Sequence, residues 1–170
     1  MSHNRIPLLP SSRTGRARSS VAGARRTPPP PDPRELVSRN IARYGLHVVH
    51  VGEGCDCPDC TSRPLPPSSR FGYTIGLTEE GHPELIVRGL GARETARLLD
   101  RWGRAVLEGD VFEVGDLLCE CDGGDRWEVV RADGRELVWA YEHYGRPAHD
   151  AGPALELIRT TTPCPCAGPC

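Results

Sequence analysis

The chain has no lysine; all 21 of its basic residues are arginine. Schiff-base chemistry on lysine is thereby excluded, and so is the phosphate-binding loop that ends in Gly-Lys. Uniform arginine usage also points to a GC-rich genome. No segment approaches the roughly 18 consecutive apolar residues that a membrane-spanning helix requires, so no membrane partner is expected. Acidic residues are missing from positions 1–31, which carry six arginines, while the remainder carries 15 arginines against 23 acids. That basic segment lacks the apolar stretch of about 7–15 residues that a secretory signal needs; it offers only Ile6-Pro7-Leu8-Leu9. Arg25-Arg26 runs into Thr27 and four prolines, which does not make a twin-arginine signal. The Arg/Ser-rich composition would suit a transit peptide in a eukaryote, but its polarity and proline content read as a disordered tail. With no aromatics interleaved to stack on bases, no specific nucleic-acid binding is expected. The Gly-x-Ser-x-Gly elbow and the His-Glu-x-x-His zinc motif are absent as well, which does not exclude an enzyme of unfamiliar type.

Cysteine, by contrast, is plentiful and clustered. The eight residues fall as Cys55, Cys57, Cys60; Cys119, Cys121; and Cys164, Cys166, Cys170. Cys57-Pro58-Asp59-Cys60 has the Cys-x-x-Cys spacing at which one turn aims two thiolates at a tetrahedral zinc. Cys119 and Cys121 are spaced to share one face of a strand. Two clusters combine into a Cys₄ site, or all three into a two-zinc site. The alternatives are reduced or redox-active thiols, disulfides, an iron–sulfur cluster (whose ferredoxin-type spacings are absent) and copper(I). Without an export signal the expected compartment is the reducing cytoplasm, which weighs against a disulfide framework.

Along the chain the pattern divides into a tail at 1–31, one domain at 32–160 and a Cys/Pro-rich tail at 161–170. Asp32-Pro33 reads as a helix N-cap with proline in the first turn; Leu36, Val37, Ile41 and Tyr44 follow at helical spacing, and Gly45 stops the helix. Leu46–Val51 reads as a strand. From Phe71 to Thr78 bulky residues alternate with Gly72, Thr74, Gly76 and Thr78. This gives a strand with one very small face, where a backbone or ligand approaches closely. A short strand at Glu84–Val87 and a helix from Ala92 to about Glu108 follow. The last third reads as an antiparallel meander, with strands near Glu113–Cys121, Arg126–Arg131 and Glu136–Tyr141 turned by Asp-Gly pairs. A short strand around Leu155–Ile158 closes the sheet. The expected class is α+β, a mainly antiparallel sheet with two helices.

Outside the cysteines, Gly81-His82-Pro83-Glu84 draws notice, because extended backbone would put His82 and Glu84 on one face as a base–acid or metal-binding pair. Tyr73, on the strand before it, completes a candidate catalytic group of Tyr73, His82 and Glu84. The plainer reading is a turn, with Glu84 capping the incoming strand. His47 and His50 fall on opposite faces of their strand and do not share a metal.

The run from Phe71 to Leu90, with Tyr73-Thr74-Ile75-Gly76-Leu77 followed by Gly81-His82-Pro83-Glu84-Leu85, resembles the bacterial domain-of-unknown-function 4262 family. Tyr44–Val51 resembles that family's opening strand, and Ala96–Asp100 with Gly109-Asp110 resembles its helix and following turn. The resemblance spans about residues 40–142 and implies a bacterial, cytoplasmic protein without implying an activity. It departs at the end. Tyr141 stands where Leu-Val-Trp-x is usually followed by Asp, and Gly145-Arg146-Pro147-Ala148 replaces an aromatic ending. It also makes Cys55–Cys60 and Cys164–Cys170 additions to a fold that stands without them. The function expected from the sequence is thus a zinc-thiolate accessory or binding module. The alternatives are an enzyme using Tyr73, His82 and Glu84, or a thiol redox or metal-handling protein.

Overall fold

The computed structural model describes residues 32–54, 63–120, 125–147 and 152–161. The basic tail and every cysteine except Cys119 lie outside the described residues. The first helix, α1 (Pro33–Tyr44), begins where the capping chemistry puts it. The Asp32 side chain accepts from the Arg34 amide, Pro33 occupies the first turn, and Gly45 ends the helix at φ 82°. Strand β1 (His47–Val51) follows, then β2 (Phe71–Ile75), β3 (Leu85–Arg88), α2 (Ala92–Leu107), β4 (Leu117–Cys119), β5 (Arg126–Asp133), α3 (Val138–Tyr144) and β6 (Pro153–Thr160).

The six strands form one sheet in the order β1-β2-β3-β6-β5-β4. Four of the five pairings are antiparallel; β3 and β6 run parallel, with Leu85 opposite Leu155 and Val87 opposite Leu157. Strand alternation sorts side chains between two cores. Leu85, Val87, Leu155, Leu157, Trp127 and Val129 pack with Leu98, Leu99 and Val106 of α2. Tyr73, Ile75, Ile86 and Ala154 pack with Val37 and Ile41 of α1 and with Leu137, Ala140 and Tyr141 of α3. Among the described residues no helix is long and apolar enough to cross a membrane.

The small face of β2 is filled by protein. A Cβ on Gly72 would stand 2.3 Å from Thr95 Cγ2 of α2 and 2.8 Å from the Val49 carbonyl oxygen, so glycine there lets the helix lie close on the sheet. The strand also stops sooner than its alternation suggests. Gly76 takes φ 128°, and the chain turns into a 3₁₀ segment at Leu77–Glu80.

Two further expectations are corrected. Glu136–Tyr141 is not a strand. Asp133 caps the Arg135 amide and starts a 3₁₀ turn, after which α3 takes over, so the described residues hold three α-helices where two were expected. The last third is therefore not a meander, while the strand expected around Leu155–Ile158 is present as β6 and runs between β3 and β5.

Candidate functional site

Glu84 stands immediately before β3 and is only 5% exposed. Its Oε1 accepts from the Gly76 amide at 3.2 Å, the Thr78 amide at 3.1 Å, the Thr78 hydroxyl at 3.0 Å and the Tyr144 hydroxyl at 2.6 Å. Its Oε2 accepts from the Thr74 hydroxyl at 2.6 Å, and that oxygen in turn accepts from the Leu85 amide. All five donors are hydroxyls or backbone amides, and none is an arginine. The turn out of β2, the start of β3 and the last turn of α3 thus meet on one carboxylate. The Gly76 amide is shared, reaching the Tyr144 oxygen at 2.6 Å as well. Gly76 itself admits no side chain: besides its positive φ, a Cβ would lie 2.4 Å from the Gly45 carbonyl oxygen. Burial first, and the adjacent Glu84 second, push the Tyr144 hydroxyl well above the usual tyrosine range, so it stays protonated as the donor to Glu84.

His82 lies beside this network, but its ring is fully committed. Nδ1 meets the Pro83 carbonyl oxygen at 2.7 Å and so must donate. Nε2 then accepts the Phe112 amide at 3.1 Å, and the two rings meet edge to face at 5.7 Å between centroids. The imidazole pins the loop after α2 to the turn before β3, with no free lone pair for a metal or a substrate proton. Tyr73 is separate again. Its hydroxyl accepts the Trp139 amide at 3.2 Å beneath α3, and burial above all pushes its pKa up to about 12. Glu84's tyrosine partner is Tyr144 rather than Tyr73. His47 meets Asn40, and His50 meets the Leu90 carbonyl.

Next to Glu84 a cavity of about 270 Å³ opens between the turn, α3 and the start of β6. Leu137, Ala140, Pro83, Pro153 and Ala154 give it an apolar lining, with the rings of Tyr141 and Tyr144 and with Arg146. His82 and Glu84 line it too, whereas Tyr73 does not. The Tyr141 hydroxyl donates to the Gly134 carbonyl, so it is spoken for. Arg146 follows the left-handed Gly145 (φ 62°), and its amide bonds the Tyr141 carbonyl at 2.9 Å. Its exposed guanidinium has no hydrogen-bond or ion-pair partner among the described residues. Tyr144, Tyr141 and Arg146, which line this cavity, are not among the candidate residues expected from the sequence. The spacing Leu137, Ala140, Tyr141, Tyr144 was the available signal, because it is helical and puts them on one face.

Among the described residues no group of three or more His, Cys, Asp and Glu side chains could hold a metal ion. Cys119, on the edge strand β4, is disulfide-bonded. Cys55, Cys57, Cys60, Cys121, Cys164, Cys166 and Cys170 lie outside the described residues.

No curated protein and no solved structure matches the chain significantly. The model of the family described as Domain of unknown function (DUF4262) matches residues 40–162, so it runs on past the expected end at 142 and takes in β6 and the cavity. That match covers most of the chain, which therefore belongs to the DUF4262 family.

Proposed function

We propose that the protein is a small-molecule-binding module whose site is the cavity between α3, the Gly76–Glu84 turn and β6. The observation that carries this reading is a preformed, largely apolar cavity of about 270 Å³ whose polar wall side chains, Arg146 apart, are already satisfied within the protein. Small-molecule sites are commonly of this kind, largely apolar and largely preformed. Binding is favoured over catalysis because His82 has no free nitrogen and Glu84 already accepts five bonds. Gly152 supplies the test. It lines the cavity, its backbone is not left-handed, and a Cβ there meets nothing within 4 Å. Gly152→Trp should block the cavity and leave the fold intact. Fragments titrated into labelled wild type are expected to shift the amide resonances of Gly81, Ala140 and Ala154, and to lose that effect in the variant. Shifts that gather elsewhere, or that persist in Gly152→Trp, would sink the proposal.

A second reading is favoured by Cys119. A sulfur in a disulfide offers no thiolate to zinc, so we read the cysteine clusters first as oxidisable thiols and second as zinc ligands. Thiol titration of the denatured protein with and without prior reduction, alongside elemental analysis, separates the two. Fewer free thiols before reduction and no metal are expected; stoichiometric zinc with all eight thiols free would reverse the order.

A further inference from the structure

Resting on that cavity reading, we infer that the ligand is a compact monocarboxylate, its apolar body inside the cavity and its carboxylate held at the mouth by Arg146. The volume limits size. About 270 Å³ is the space of roughly nine water molecules at ~30 Å³ each, which admits a ligand on the order of ten non-hydrogen atoms. The lining sets the body's chemistry: Leu137, Ala140, Pro153 and Ala154 with two tyrosine rings suit a branched or aromatic hydrocarbon.

The charge follows from which polar groups remain available. Tyr141, Tyr144 and both nitrogens of His82 are engaged within the protein. Among the described residues, Arg146 is the lining side chain whose donors have no partner. Among the described residues several arginines meet acids, as in Arg34–Glu142, Arg88–Glu136, Arg97–Glu120 and Arg159–Glu94; Arg39, Arg63, Arg93 and Arg131 meet none, but of the arginines it is Arg146 that lines the cavity. At Arg146 no described carboxylate takes that place, so among the described residues the planar five-donor fork is left for a ligand carboxylate in two-point contact. A phosphate monoester would also suit a guanidinium, but Glu84 lines the same cavity and a dianion would sit against its carboxylate. A single negative charge at the exposed mouth keeps the attraction and limits the repulsion.

The experiment compares benzoate, benzamide and phenyl phosphate as probes, by amide-resonance titration of wild type, Arg146→Gln, Arg146→Lys and Gly152→Trp. Arg146→Gln is expected to leave the melting temperature unchanged, because the guanidinium has no partner to lose among the described residues. Benzoate should bind wild type about two- to fivefold more tightly than benzamide, the range an exposed ion pair supplies. Arg146→Gln should erase that preference, and Arg146→Lys should restore part of it. Equal binding of benzoate and benzamide, or an unchanged preference in Arg146→Gln, overturns the carboxylate assignment and leaves the cavity reading standing. Tighter binding of phenyl phosphate overturns the monoanion. If no probe shifts Gly81, Ala140 and Ala154, or if shifts survive in Gly152→Trp, the cavity reading itself fails.

Discussion

A carboxylate taken out of water needs compensation, and Glu84 receives it entirely from amides and hydroxyls. Its role is to gather three elements, and the size of that role can be measured. In Glu84→Gln one carboxylate oxygen becomes an amide donor. If the remaining oxygen keeps the four donors now on Oε1, the new NH₂ faces the Thr74 hydroxyl, which already accepts from the Leu85 amide. That hydroxyl must then give up its own acceptor, a loss of about 1–2 kcal/mol. Glu84→Ala strands several donors at once and should cost at least about 3 kcal/mol, since each buried unsatisfied group is worth roughly 1–3. Urea denaturation of both variants at unchanged m-value checks the ordering. An alanine variant within about 0.5 kcal/mol of wild type would mean that Glu84 is ordinary surface chemistry.

At the scale of elements, local physics was legible and pairing was not. Asp32-Pro33 and Gly45 marked both ends of α1, and the apolar stripe of α2 ended near Gly109 as read. The close approach announced by Gly72 and Thr74 is real, but its cause is the packing of α2 at Thr95 rather than a ligand. One misreading had consequences at the site. Leu137-Val138-Trp139-Ala140 is apolar, β-branched and aromatic after an Asp-Gly pair, which favours a strand, yet Leu137, Ala140, Tyr141 and Tyr144 are the inward positions of a helix. Treating the stretch as a strand that stopped at Tyr141 left Tyr144 out. Glu84 was singled out from its own neighbourhood, whereas its partner Tyr144 comes from an element made 60 residues later. His82 and Glu84, expected to share a face as a pair, bond to other groups. Only tertiary structure reveals that the Phe112 amide takes the imidazole's last lone pair.

For the whole molecule the decisive strand is the last one. β6 joins β3 on one side and β5 on the other, so within the sheet it is the link between the β1-β2-β3 segment and the β5-β4 segment. Leu155 and Leu157, 6% and 1% exposed, also carry part of the core beneath α2. Burying two such side chains is worth about 3–6 kcal/mol. With the two ladders added, the loss on removing β6 matches the roughly 5–15 kcal/mol that holds a typical domain folded. A chain ending at Gly152 should therefore lack cooperative unfolding and give a poorly dispersed amide spectrum. A chain ending at Thr161, which keeps β6 and drops Cys164, Cys166 and Cys170, should stay folded. Leu157→Ala lies between them: it costs about 2–5 kcal/mol, and the sheet survives. Dispersed spectra from the shorter chain would show that β1-β2-β3 and α2 stand without their central neighbour. In that case the cavity, whose wall includes Pro153 and Ala154, would be an addition to an independent core rather than part of it.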